Sequence, residues 1–220
     1  TSEEKLLEVL NHQVTESLET VTNTSHIFIT LGSAWGYQLK ETGKWVANCH
    51  KVPHKQFNKE LWDVDALQLS LGNILDMIAE INPAAKVVFS VSPVRHIKDG
   101  FLENQRSKAH LITAVQNLVA SGRALYFPAY ELMMDELRDY RFYASDLVHP
   151  NELAVDYIWE KFRQVWIDEK IGEDMREVDA IRKGLAHRAN YPDTEKHQKF
   201  IRSLEERMRR LQQKYPFMSF

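Results

Sequence analysis

The chain has 220 residues, 44% hydrophobic and 27% charged, enough to bury one sizeable core in a single domain or a domain with an appendage. A formal net charge of -3 and a pI near 6.3 supply no basic field, which argues against nucleic acid as a partner. No apolar run approaches the roughly 20 residues of a membrane span, and the single cysteine, Cys49, can form no intrachain disulfide, leaving a cytoplasmic and an exported location equally open.

The opening segment carries Leu6, Leu7, Leu10, Val14, Leu18 and Val21 at helical spacing, which predicts an amphipathic helix over 3 to 21 rather than a leader peptide. His26 to Leu31 (HIFITL) is short, apolar and β-branched and stops at Gly32, a switch from strand to loop. Tyr37 to Leu39 and Lys44 to Ala47 flank Glu41-Thr42-Gly43, which predicts a small hairpin. Leu67, Leu71, Ile74, Leu75, Ile78 and Ile81 give a second helix from Asp65, ended by Asn82-Pro83. Lys86 to Val91 is a second buried-type strand, closed by Ser92-Pro93, and Ala124 to Phe127 a third. Between them a helix runs from about Asn104 to Ala120 and stops at Ser121-Gly122.

Alternating strands and helices predict parallel strands with right-handed crossovers, hence an α/β layered fold. Pro150-Asn151-Glu152 then opens the last helix of the domain, with proline in the first turn where its missing N–H is harmless. Residues 173 to 214 lack any strand signal and hold two charged helical stretches separated by Asn190-Tyr191-Pro192-Asp193. The division expected is a domain over 1–170 and a helical extension over 171–220. The second tail helix (Ile201, Leu204, Met208, Leu211) has a narrow apolar stripe, more in keeping with packing on its own domain than with binding a partner.

Asp146-Leu147-Val148-His149-Pro150 is the strongest chemical signal. Asp and His three residues apart in a loop entering a helix let one short segment present an imidazole while the carboxylate accepts its other N–H, as in an acyl-transfer triad. The competing reading is a capping aspartate beside a surface histidine, and in a chain with nine histidines the spacing alone is weak. Its position, after the third strand and before the last helix, strengthens the chemical reading.

That position resembles the last motif of the SGNH/GDSL hydrolases. The wider text is similar to the GSCFA family within that group, through ITLGSAW (29 to 35), VANCHKVP (46 to 53), FSVSPVRH (89 to 96), GFLENQRSKA (100 to 109) and YFPAYELMMDELRDYRFYASDLVHP (126 to 150). The resemblance implies a three-layer α/β/α, flavodoxin-like sheet and an esterase or acyl hydrolase acting on a small-molecule or carbohydrate ester, without metal or other cofactor. It makes His149 the general base, Asp146 its orienting partner and Gly32 a lining of the oxyanion region. Ala34 stands where the oxyanion-binding asparagine of SGNH enzymes normally lies, and Asn48 is the candidate substitute. The GSCFA segment with its serine does not occur in the chain, so the nucleophile is expected upstream of Thr1; Ser33 is the internal alternative.

In Cys49-His50, neighbours on an extended strand point to opposite faces, which disfavours a thiol–imidazole pair and leaves His50 as a candidate substrate contact. Arg95, His96, Asn104 and Ser107-Lys108 lie just after the second strand and early in its helix, the side on which ligands bind open α/β sheets. There they could hold an anion, or Arg95 could simply pair with Asp99 or Glu103. With only three core strands and the N-terminal ones missing, the edge at Ile27-Ile29 is expected to need cover: another chain segment, a second copy (a homo-oligomer), or parent residues outside this numbering. The residues leave a second reading open, a non-catalytic carbohydrate- or protein-binding module on the same fold.

Overall fold

The computed structural model describes residues 2–46, 49, 51–187 and 194–220. Two units can be separated, residues 1–158 and 159–220. In the first, three strands form a parallel sheet of order β1-β5-β6: β1 is His26–Leu31, β5 Lys86–Val91 and β6 Leu125–Tyr126. The register sets Ile27, Ile29 and Leu31 beside Val87, Phe89 and Val91, so these six apolar side chains share one face. Against that face pack Leu71 and Leu75 of α2 (Val64–Ile81) and Val115 and Leu118 of α3 (Phe101–Ala120). The sheet is thus flanked by helices, the mixed α/β arrangement that the strand and helix alternation predicts. β5 is central and buried from Val87 to Val91. β1 is paired on one side only; among the described residues no strand pairs with its other edge, and Phe28 there is 44% exposed.

The hairpin forms, β2 (Trp35–Leu39) running antiparallel to β3 (Trp45–Val46) with Gly43 at φ +67° in the turn. A further strand, β4 (Phe57–Leu61), pairs with the other edge of β2 and makes a separate three-stranded sheet. Gly36 lies under the edge-to-face indoles of Trp45 and Trp62, whose ring centroids are 4.9 Å apart. A Cβ on Gly36 would come within 2.6 Å of Trp62 and 2.7 Å of Trp45. Gly36→Ala is therefore expected to cost about 1–3 kcal/mol of overpacking, read as a lower urea midpoint; an unchanged midpoint would mean that the two indoles do not close over the strand.

Boundaries differ from the expected ones where a side chain overrides the apolar pattern. The helix α1 (Glu3–Asn23) does begin on Ser2, whose hydroxyl accepts from the Lys5 N–H, but it buries none of its residues, so its stripe of Leu6, Leu10, Val14 and Leu18 stays exposed and it gives the β1 edge no apolar cover. α3 starts at Phe101, not near Asn104, because Gly100 at φ +100° makes the turn before it. Pro150 lies outside the helix it was expected to open. Asn151 takes the cap, its Oδ1 accepting from the Ala154 N–H at 3.1 Å, so α5 runs Glu152–Trp166 and Pro150 bridges back to Tyr143. A one-turn helix, α4 (Ala129–Glu131), continues into a wider turn over Leu132–Glu136 that periodicity did not indicate.

In the second unit, α6 (Gly172–Ala186) and α7 (Glu195–Lys214) pack through buried Ile181, Leu204 and Leu211, with Leu204 held close against Gly184. Arg207 donates two hydrogen bonds to Glu177, at 2.6 and 2.8 Å. Through Leu204 the α7 stripe meets α6. The separator at Asn190-Tyr191-Pro192-Asp193 lies outside the described residues.

Candidate active site at the carboxyl ends of the parallel strands

The loop of residues 144–149 is tied at both ends. The Leu147 N–H donates to Ala144 O at 2.9 Å and the Ala144 N–H to His149 O at 2.8 Å, while the Arg95 N–H reaches across to Val148 O at 3.2 Å. Closing so short a loop puts Leu147 at φ +58°, a left-handed conformation rarely held by a leucine. The turn orients the aspartate: Asp146 Oδ1 accepts from the backbone N–H groups of Val148 (2.8 Å) and His149 (3.0 Å), leaving Oδ2 2.7 Å from His149 Nδ1. A carboxylate only accepts, so Nδ1 carries the proton, and the lone pair of the neutral ring is on Nε2. The local cap and the Asp–His pair thus coexist, one on each carboxylate oxygen.

These donors hold the Asp146 carboxyl at about 2, the backbone N–H of His149 contributing most, then its ring, then the Val148 N–H. Because this lies below the ordinary 3.8, the loop's contribution to stability is complete above pH 3.8 and lost as pH falls through about 2. A carboxyl-carbon NMR titration is expected to place the Asp146 inflection near 2; an inflection near 4 would mean that the donors do not hold it.

Around this loop the other strand ends converge. Lys108, on the second turn of α3, is 1% exposed, and its Nζ donates to Gly32 O and Ser92 O, 2.7 Å each, joining the carboxyl ends of β1 and β5. Burial pushes its ammonium down to about 8. Asn104 Oδ1 accepts the His96 N–H at 2.8 Å, and Ser107 Oγ accepts the Ala34 N–H at 2.8 Å. His96 leans on Gly32: a Cβ there would lie 3.3 Å from His96 Nε2. Partial burial first, then the nearby Lys108 ammonium, pushes the His96 ring below its usual value, with the neighbouring His149 imidazole acting in the same direction. Arg95 pairs with neither expected carboxylate. Asp99 is taken by Lys59 and Glu103 by Arg106, and the Arg95 guanidinium lies 4.3 Å from the centroid of Tyr143 and 5.2 Å from that of Tyr140.

The hydroxyl of Ser33 is occupied locally, accepting from the Trp35 N–H at 3.1 Å and lying 3.3 Å from Ser107 Oγ, and among the described residues no imidazole is bonded to it. Gly32, Ser33, Arg95, His96, Asn104, Lys108, Asp146 and His149 therefore meet at one end of the sheet or on the loops and helix bonded to it. Asn48 and His50 lie outside the described residues. One participant was not singled out as a site residue, Tyr143, whereas Ser107 lies beside Lys108 in the cluster expected after the second strand. Ser107 is in phase with the apolar stripe Leu111, Ala114, Leu118 of α3; nothing local marked Tyr143 as the platform under Arg95.

Among the described residues no group of three or more His, Cys, Asp or Glu side chains is placed to hold a metal ion, and no helix is long and apolar enough to cross a membrane. Among known families, the model of the GSCFA family matches residues 1–162, and that of the GSCFA domain protein, C-terminal domain, matches residues 178–220. No curated protein matches the chain.

Proposed function

This chain belongs to the GSCFA family, and we propose that it carries the base-bearing half of a serine-type acyl hydrolase acting on an ester or acetyl ester, the nucleophilic serine coming from outside residues 1–220. The observation that carries this reading is the 2.7 Å contact between His149 Nδ1 and Asp146 Oδ2. With Nδ1 committed to the carboxylate, Nε2 takes the proton of the attacking serine hydroxyl as its Oγ bonds to the ester carbonyl carbon. The imidazolium formed is stabilised by Asp146 and returns the proton to the departing alkoxide as the ester C–O bond breaks. Water, deprotonated by the same nitrogen, then releases the acid.

The edge of β1 with which no strand pairs among the described residues supports an external source for the serine, since a further strand bonded there would end beside Gly32. The engagement of the Ser33 hydroxyl with Trp35 and Ser107 weighs against the internal alternative. A second reading, a binding module without catalysis, is favoured by one observation: Ala34 is 3% exposed and offers no side-chain donor for an oxyanion. A fluorophosphonate probe applied to the full-length natural protein separates the two. Covalent labelling of one serine upstream of residue 1, abolished by His149→Ala, is expected; absence of labelling would leave only the binding reading.

A further inference from the structure

Ala34 removes the side-chain amide that ordinarily stabilises an oxyanion at this position, and its own N–H is committed to Ser107 Oγ at 2.8 Å. The peptide immediately before it is differently placed. The carbonyl of Gly32 accepts a hydrogen bond from the Lys108 ammonium at 2.7 Å. Its peptide is trans, so the Ser33 N–H points the opposite way, away from Lys108. Among the described residues that N–H has no acceptor. Its neighbour Gly32 turns its bare side toward His96, where a Cβ would crowd the ring at 3.3 Å, and the residue before His96, Arg95, is bonded through its N–H to Val148 O of the Asp146–His149 loop at 3.2 Å, so this strand end adjoins that loop.

Lys108 itself is costly. It is 1% exposed, and among the described residues its polar partners are two main-chain carbonyls, with the Tyr130 ring centroid 5.7 Å from its Nζ, and no carboxylate. A buried cation without a counter-ion is poor evidence for a role in stability alone. Placed on a carbonyl oxygen, it polarises the whole peptide group and makes the N–H at the other end a stronger donor, while fixing its direction before any ligand arrives.

Taking the acyl-hydrolase reading as its basis, we propose that the main-chain N–H of Ser33 is the oxyanion donor that replaces the missing asparagine, and that Lys108 is the positioning residue that orients and polarises it through Gly32 O. Only the amide touches the substrate oxygen; Lys108 acts through the peptide.

The test uses the full-length natural protein, isotopically labelled, and phenylboronic acid as the probe. Attack of the serine Oγ on boron forms an O–B bond, passes the hydroxyl proton to His149 and leaves a negative tetrahedral boronate that mimics the oxyanion. On saturation the Ser33 amide proton is expected to move to lower field, more than the amides of Ala34 and Trp35. Boronate binding that leaves the Ser33 amide unmoved would overturn the proposal while sparing the serine-hydrolase reading; no boronate binding would overturn both. Lys108→Met, of similar length and uncharged, is expected to lower kcat on an aryl ester about 100-fold with KM unchanged. A variant that loses thermal stability but keeps kcat would reduce Lys108 to a staple between β1 and β5. Should Lys108→Met fail to fold, the amide shift in the unsubstituted protein still decides the role of Ser33.

Discussion

Replacing His149 by alanine is expected to lower kcat for a short-chain aryl ester by about 10³- to 10⁴-fold in protein that includes the upstream serine, with almost no change in thermal stability. The two halves of this expectation have separate physical grounds. The rate falls because Nε2 is the only part of the Asp146–His149 pair left to accept a proton, Nδ1 being held by the carboxylate at 2.7 Å. Stability is kept because the His149 side chain is 60% exposed, and the loop is closed by main-chain bonds that alanine retains: Ala144 N–H to His149 O, and Arg95 N–H to Val148 O. Asp146→Asn should slow turnover too, since a carboxamide can offer an N–H to the ring and so favour the wrong tautomer. Ser33→Ala should leave kcat unchanged. Residues 1–220 alone should be nearly inactive; equal turnover with and without the upstream segment, abolished by Ser33→Ala, would move the nucleophile to Ser33 and refute the external source.

How much of this could be read from the residues depended on whether a signal was local. The strands His26–Leu31 and Lys86–Val91 were legible to the residue because both are short β-branched runs stopped abruptly, one by Gly32 and one by Ser92-Pro93. The hairpin was legible from its glycine turn, whereas β4 was not. Phe57–Leu61 alternates buried and exposed over only five residues, with Asn58, Lys59 and Glu60 among them, and nothing but pairing with β2 makes it a strand. The first turn of α3, Phe101 to Glu103, was missed because Phe101 and Leu102 are exposed and add nothing to the inward apolar stripe. Past it the inward face is Asn104, Ser107 and Lys108, polar residues at helical spacing that continue the stripe of Leu111, Ala114 and Leu118. At the site, the Asp–His spacing could be seen because both residues lie on one short loop. The convergence of Gly32, Ser92 and Lys108 could not, since the ammonium reaches back 76 residues to one carbonyl and 16 to the other.

Phe89→Ala is expected to cost about 3–5 kcal/mol, the largest loss of stability from a single side chain in the sheet. β5 is the middle strand, hydrogen-bonded to β1 on one side and β6 on the other, and the ring of Phe89 is 0% exposed. It is enclosed by Leu71 and Leu75 of α2, Val115 and Leu118 of α3, and Val87 and Ala124, so no water or flexible loop stands ready to fill the space that truncation leaves. Backbone pairing should survive, because the Phe127 N–H still finds the carbonyl of residue 89. The cost should therefore appear as a lower guanidinium midpoint at unchanged m. Phe28, in the strand beside it, supplies the control. Phe28 is 44% exposed on β1, which is paired on one side only among the described residues, and removing its ring from residues 1–220 should cost well under the 2 kcal/mol or so of a fully buried side chain. In protein carrying the upstream segment the same substitution should become more costly, because a strand seated on the free edge of β1 would bury that ring. Equal and small losses for Phe28→Ala in the short and long forms would show that the upstream segment does not dock there, and would remove the geometric route by which its serine reaches His149.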